Sequence, residues 1–116
     1  MFRWIAVFTL WATPSLADFR QIVDERTFLN TLDGRALNIG LFNLAINVLP
    51  SGQITGTAVG WDLTGNWEWK DGLFCREIDW SGMAIEYNCQ LVETDGAQMR
   101  FTSDAGNGRS ADFRLR

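Results

Sequence analysis

The chain contains two cysteines, and their position around a turn signal constrains the fold more than any other feature. Cys75 and Cys89 lie on either side of Ser81-Gly82-Met83, and a hairpin folded over this turn would place them opposite each other. Neighbouring antiparallel strands bring the Cα atoms of such a pair within reach of a disulfide. The sequence therefore predicts a Cys75–Cys89 bridge if the chain enters an oxidising compartment, and two buried free thiols otherwise.

A second turn signal, Asp71-Gly72, precedes the first cysteine. Asp-Gly is typical of a type I′ hairpin turn, whose two central residues both need positive φ angles. Cross-strand partners share a face of the sheet. The turn therefore places one set of side chains together on the predicted core face: Trp67, Trp69, Phe74, Arg76, Ile78 and Trp80. We predict two consecutive β-hairpins between Gly65 and Cys89.

Residues 1–17 have the layout of an export signal. Arg3 precedes the apolar run WIAVFTLWA, and Ser15-Leu16-Ala17 provides the small residues of a cleavage site. The apolar run is short for a transmembrane helix, which needs about 20 residues, although a membrane anchor is the alternative. We expect a periplasmic protein that is cleaved after Ala17 and forms one domain over residues 18–116.

The composition excludes several classes of function. The chain has no histidine, which is the commonest general base and metal ligand, and both cysteines belong to the predicted bridge. Its 14 acidic residues outnumber 10 basic ones, which disfavours nucleic-acid binding. It has no glycine-rich nucleotide motif and no metal-ligand spacing. We expect a monomer without cofactor, metal or catalytic residues, and without stable membrane insertion after cleavage.

The segment from Asp18 to Gly34 is the only convincing helical stretch. Asp24 can cap a helix that begins at Glu25, because an aspartate side chain accepts hydrogen bonds from free amides of the first turn. We expect this helix to plug one end of a sheet. A loop over the same residues is the alternative.

From Arg35 onward, apolar and polar residues alternate with a period of two, and tight turns separate the runs. Consecutive hairpins imply an antiparallel meander. About eight such strands can close into a small up-and-down β-barrel of calycin type, so we predict a mainly β fold. A two-sheet β-sandwich is the alternative. Some glycines lie among strand residues, where they predict bulges or bends: Gly56, Gly60 and Gly65.

Arg76 is the leading candidate for a ligand-binding residue. On the core face it neighbours Trp67, where a guanidinium can stack on an indole. It could bind an anionic ligand at a barrel mouth lined by Trp67, Trp69 and Trp80. The interpretation that we favour from sequence is structural: the arginine covers a core tryptophan and pairs with a nearby carboxylate. Arg100 presents the same choice with weaker support.

The chain also resembles a family of short exported proteins from Gram-negative bacteria, over nearly all of residues 18–116. The motifs that carry the resemblance are Gly65-x-Trp67-x-Trp69, Phe74-Cys75-Arg76, Cys89-Gln90 and Arg100-Phe101-Thr102. Some members carry the name dihydrodipicolinate reductase. Such a reductase is similar in fold to dinucleotide-binding enzymes, whose glycine-rich turn and second domain are both missing here. In outline the chain also resembles small periplasmic barrels that inhibit proteases or lysozymes.

Three functions follow from these observations. The first, which we rank highest, is a protein-binding or inhibitor-type module that uses the Asp104–Arg109 loop and the open barrel end. The second is a small-ligand-binding barrel of lipocalin type, which needs a cavity at the Arg76 end. The third is an enzyme, for which the sequence supplies no nucleophile or base.

Overall fold

The computed structural model describes residues 18–116, so the predicted export signal lies outside the described residues. Within them the elements are β1 Arg20–Ile22, α1 Glu25–Leu32, β2 Leu37–Ile39, β3 Leu44–Val48, β4 Gln53–Ala58, β5 Trp61–Lys70, β6 Leu73–Trp80, β7 Met83–Thr94, β8 Gln98–Thr102 and β9 Ser110–Leu115. No helix of this part of the chain is long and apolar enough to cross a membrane.

Strands β2 to β9 form a closed antiparallel barrel of eight strands. Each strand pairs with its neighbour in the chain, and β9 returns to β2 through the pairs Leu37–Leu115 and Asn38–Arg114. Strand β1 lies outside this ring and adds to the end of β7, where Ile22 pairs with Val92. The predicted barrel is therefore confirmed, and the sandwich alternative is excluded.

Helix α1 plugs one end of the barrel, as predicted. The Asp24 side chain caps it by accepting hydrogen bonds from the Thr27 amide at 3.0 Å and the Thr27 hydroxyl at 2.8 Å. Phe28 is fully buried, and its ring centroid lies 5.5 Å from that of Trp67 and 5.3 Å from that of Phe74. This aromatic cluster closes what we call the closed end; the opposite end is the open end.

The disulfide between Cys75 and Cys89 is confirmed, but the turn beside it differs from the predicted one. The turn contains only Ser81 and Gly82, and Met83 already pairs with Trp80. On this turn alone Cys75 would face Asn88. A β-bulge in β7, at Glu86 and Tyr87, adds one residue to that strand and brings Cys89 opposite Cys75.

The strand pairings run without a register shift through Gly56 and Gly65, so the bulges predicted there are not found, whereas Gly60 lies in the tight turn between β4 and β5. Gly65 and Gly56 instead lie where neighbouring backbones approach closely. A Cβ atom on Gly65 would collide with the backbone oxygen of Glu77, and one on Gly56 with that of Ala45. Glycine at these positions therefore allows the strongly curved strands β3 to β6 to pack against one another.

Candidate functional site: a cavity at the open end of the barrel

A cavity of about 400 Å³ occupies the open half of the barrel. Most of its wall consists of apolar side chains whose alternation along the strands points them inward. They come from seven of the eight barrel strands, and they include Ile46, Ile54, Ile78, Phe101 and Phe113. The interior is therefore hollow above the aromatic cluster, and its surface suits an apolar molecule.

A small set of polar groups faces the same cavity. They are Arg76 on β6, Gln90 on β7, Ser103 and Arg109 in the connection between β8 and β9, and Ser110 at the start of β9. None of the described residues that line the cavity is acidic. Its polar part is therefore cationic, which favours an anionic group over a cationic or neutral one.

Arg76 is one of the two charged residues in this polar set. Its side chain is half-buried, and its Nη1 donates a hydrogen bond of 2.7 Å to the backbone carbonyl of Glu86. The β7 bulge frees that carbonyl from the regular β6–β7 ladder. Burial lowers the pKa of the Arg76 guanidinium from its ordinary value, but an arginine remains cationic at neutral pH.

The expected carboxylate partner of Arg76 is not present among residues 18–116. The ion pair that this part of the chain forms joins Arg100 to Asp112, on the outer face of the barrel wall. In residues 18–116, every fully buried side-chain nitrogen or oxygen has a hydrogen-bond partner, so the remaining donors of Arg76 are not fully buried. The structural interpretation that we favoured from sequence is therefore wrong about the carboxylate, because a backbone carbonyl takes its place.

Asn88 holds the connection between β8 and β9 against the barrel. Its Nδ2 donates to Asp104 Oδ1 at 2.8 Å, and its Oδ1 accepts from the Asp104 amide at 2.9 Å. The Ser103 amide donates to the Arg109 carbonyl at 2.9 Å, which closes the base of the loop. Together these bonds keep Arg109 at the rim of the cavity.

The predicted tryptophans do not line this cavity. Trp67 and Trp69 belong to the closed end, where their indole N–H groups donate to the carbonyls of Leu49 and Val23. Trp80 donates to the Ala58 carbonyl at 3.2 Å and packs against the core. Alternation along a strand predicts the correct face for each of them, but it does not predict depth within the barrel.

Arg100 lies on the outer surface of the barrel. Its Nε donates to Asp112 Oδ1 at 2.7 Å, and its guanidinium carbon lies 4.0 Å from the centroid of the Phe19 ring. The hydrogen bond from Arg100 to Asp112 raises the pKa of Arg100. The structure therefore gives Arg100 a surface partner and does not bring it together with Arg76.

Sequence reasoning missed Gln90, Ser103 and Ser110 as cavity residues, and it placed Arg109 only in a surface loop. Gln90 could have been found from period two, since it lies two residues from the buried Val92 and therefore on the same face of β7. Ser110 could not, because its parity places it with Thr102, whose hydroxyl it hydrogen-bonds. Ser103 and Arg109 carried no such signal, because their orientation depends on the bonds between Asn88 and Asp104.

The carboxylates of β5 to β7 lie on the outside of the barrel. Glu77, Asp79 and Glu86 line a broad outer groove together with threonine and asparagine side chains. The Tyr87 hydroxyl donates to Glu68 Oε1 at 2.9 Å, and this bond raises the pKa of Tyr87. Residues 18–116 contain no group of three potential metal ligands.

Fold and cavity together define a small closed β-barrel with one plugged end and one open end, whose apolar cavity has a cationic polar set. Among protein-family models, curated proteins and solved structures, none matches this chain. The resemblance to short exported proteins therefore stays a prediction, and any function has to be inferred from the geometry of the site.

Proposed function

We propose that this protein is a periplasmic small-ligand-binding barrel. Its ligand is an amphiphile with an apolar body and one anionic group. The observation that carries this proposal is Arg76, which points into an apolar cavity without a carboxylate partner in the described chain. Of the three functions predicted from the sequence, the small-ligand-binding barrel is the one that requires a cavity at the Arg76 end, and the barrel has such a cavity.

The apolar body of the ligand would replace water along the cavity wall. A cavity of about 400 Å³ lies within the range of small-molecule sites, which are mainly apolar with a few convergent polar groups. Removing apolar surface from water stabilises the complex by roughly 25 cal/mol per Å² before the cost of association is subtracted. A short acyl chain or a substituted aromatic ring fits this description.

The anionic group would bind Arg76. A partly buried charge is costly unless it is paired, and Arg76 has only one backbone carbonyl as an acceptor among the described residues. A carboxylate or a similar anion would supply the missing charge and accept further hydrogen bonds. Arg109 at the rim would add attraction as the ligand enters.

Two observations support a periplasmic location. The Cys75–Cys89 disulfide is typical of an oxidising compartment, and residues 1–17 have the pattern of an export signal. The reductase name receives no support from the site, since the cavity contains no glycine-rich turn for a dinucleotide. The protein-binding role that we ranked first uses the Asp104–Arg109 loop and the open end, so it shares Arg109 with the proposed ligand site.

The test compares three ligands that share one chain and differ only in charge: decanoate, decanol and decylamine. Their binding is measured by isothermal titration calorimetry and by displacement of the fluorescent anion anilinonaphthalene sulfonate. We expect decanoate to bind about tenfold or more tightly than decanol, because a charge-assisted hydrogen bond contributes roughly 1.5–3 kcal/mol. Decylamine should bind most weakly.

Two variants locate the site. Arg76→Met removes the charge and should abolish the preference for decanoate over decanol, whereas Arg114→Met, on the outer side of β9, should leave it unchanged. Ala111→Phe fills the cavity and should weaken all three ligands. Equal affinities for decanoate and decylamine, or binding that survives Ala111→Phe, would overturn the proposal.

A further inference from the structure

Exposed apolar side chains concentrate at the open end of the barrel. Three connections meet there: the 3₁₀ turn Gly40–Phe42 between β2 and β3, the turn Val59-Gly60, and the turn Ser81-Gly82. Their side chains and immediate neighbours form what we call the tip surface, which consists of Leu41, Phe42, Val59, Trp61 and Met83. Leu41 is 87% exposed and Trp61 62% exposed, although soluble domains normally bury side chains of this kind.

Hydrogen bonds between the connections hold the tip surface together. The Val59 amide donates to the Phe42 carbonyl at 3.1 Å, and the Ser81 amide donates to the Asp62 carbonyl at 3.1 Å. The Ser81 hydroxyl donates to the same Asp62 carbonyl at 3.0 Å. The exposed side chains are therefore presented by cross-braced turns, which lowers the entropy lost when a partner binds them.

The backbone of Val59 is strained. Its φ angle is 53°, in the left-handed region that a β-branched residue rarely adopts. Glycine or asparagine would occupy this position without the same cost. An exposed valine in this strained turn destabilises the free protein. Such strained positions cluster at functional sites, so we infer that the Val59 side chain contributes to binding.

The surroundings of the tip surface are acidic. No lysine or arginine occurs between Ala36 and Trp69, or between Glu77 and Met99. Asp62, next to Trp61, is exposed, and the Asp79 carboxylate accepts a hydrogen bond of 3.2 Å from the Gly82 amide of the tip turn. Arg109 lies at the same end but in the connection between β8 and β9, which contributes no residue to the tip surface. The negative charge that borders these apolar residues predicts positive charge on whatever covers them.

We propose that the tip surface docks onto a partner protein that presents an apolar patch flanked by lysine or arginine. A second copy of this chain would bring acidic residues against acidic residues, which is repulsive. A bilayer surface is also disfavoured, because segments that bind membranes combine apolar side chains with lysine and arginine. This inference is independent of the ligand cavity, since the tip surface and the cavity wall share none of these residues.

The first experiment is photo-cross-linking in producing cells. Benzoylphenylalanine replaces Trp61 or Leu41, and Val23, which is 60% exposed at the closed end, serves as the matched control position. We expect one protein adduct from positions 61 and 41 and none from position 23. Mass spectrometry of the adduct should identify a partner peptide that contains or adjoins lysine or arginine.

The second experiment measures affinity with the purified partner. Trp61→Ala should weaken binding at least about tenfold, as truncation of an interface tryptophan commonly does, while Val23→Ala leaves it unchanged. Asp62→Lys and Asp79→Lys should weaken it further, and added NaCl should weaken the wild type but not the double lysine variant. Circular dichroism and thermal melting check that each variant is folded.

Several results would overturn the inference. They are the absence of any adduct, an adduct between two copies of this chain, and an adduct with lipid. Binding of the wild type to phosphatidylcholine–phosphatidylglycerol vesicles that Trp61→Ala abolishes would assign the tip surface to a membrane. A partner affinity that is indifferent to salt and to both lysine substitutions would contradict the predicted charge of the partner.

Discussion

Trp67 and Leu49 are linked by a hydrogen bond of 2.8 Å from the indole Nε1 to the backbone carbonyl. The Trp67 amide also donates to the Gly52 carbonyl at 2.9 Å. One tryptophan on β5 therefore holds the turn between β3 and β4 with both its side chain and its backbone. The turn lies at the closed end of the barrel, so these two hydrogen bonds stabilise that end.

We predict that Trp67→Phe lowers the free energy of unfolding by about 1–3 kcal/mol, because the Leu49 carbonyl loses a donor and the core loses volume. Urea unfolding followed by circular dichroism measures the change. Trp61→Phe is the matched control: Trp61 is 62% exposed at the tip surface and should change the midpoint very little. Equal effects of the two substitutions would contradict the role assigned to Trp67.

Loss of the disulfide should destabilise the barrel without changing its fold. The bridge closes a loop with a sequence separation of 14 residues. In the chain-entropy model, removing the cross-link that closes a loop of this size lowers the free energy of unfolding by roughly 3 kcal/mol. We expect the double variant Cys75→Ala, Cys89→Ala to lose about 3 kcal/mol of unfolding free energy and therefore to have a lower urea midpoint. Reduction of the wild type should reproduce the shift, and an unchanged midpoint in both cases would count against it.

The close approach at Gly65 predicts a strong effect of one added methyl group. Gly65→Ala would place its Cβ against the Glu77 backbone oxygen, so strands β5 and β6 must shift apart. Such overpacking typically costs about 1–3 kcal/mol. Gly40→Ala is the control, because nothing lies within 4 Å of a Cβ at that position. Thermal melting of the two variants should differ by several degrees; matching melting temperatures would refute the clash.

The helix cap predicts a dependence of stability on pH. Hydrogen bonds from Thr27 hold the pKa of Asp24 below its usual range. The unfolded chain therefore binds a proton at a pH where the folded chain does not, so the cap stabilises the protein above the unfolded pKa of about 3.9. This contribution disappears as the pH falls through the lower folded value.

The corresponding variant is Asp24→Ala. It should melt below the wild type at about pH 7, and the gap should narrow as the pH falls below the unfolded pKa of about 3.9 and Asp24 of the folded chain becomes protonated. Asp95, whose pKa is also lowered by hydrogen bonds from Gln98, affects wild type and variant equally and cancels in the comparison. A gap that stays constant over this range would show that the Asp24 charge does not contribute.

Local signals predicted the elements that depend on neighbouring residues. Asp71-Gly72 set the register of β5 and β6, in which Trp67 pairs with Arg76 and Glu68 with Cys75. Asp24 predicted the first residue of α1. These features depend on φ angles and hydrogen bonds within a few residues, and such constraints are visible in sequence.

The β7 bulge was not visible in the same way. Nothing in Glu86-Tyr87 distinguishes it from regular strand residues, so the turn was placed one residue too wide even though the cysteine pairing was correct. The bulge turns Tyr87 outward toward Glu68 and leaves the Glu86 carbonyl free for Arg76. A change of one residue in register therefore determined the partner of the candidate binding residue.

The sequence by itself determined a disulfide-linked antiparallel barrel, because alternation, turn residues and a cysteine pair act over short distances and admit few closed arrangements. Only the tertiary structure decided that the open half is hollow, that Arg76 has no carboxylate beside it among residues 18–116, and that Arg109 lies at the rim of the same cavity. Those facts depend on how deep each inward side chain lies and on which loop folds over the opening. Closure of the whole sheet determines both, and no stretch of residues encodes either one locally.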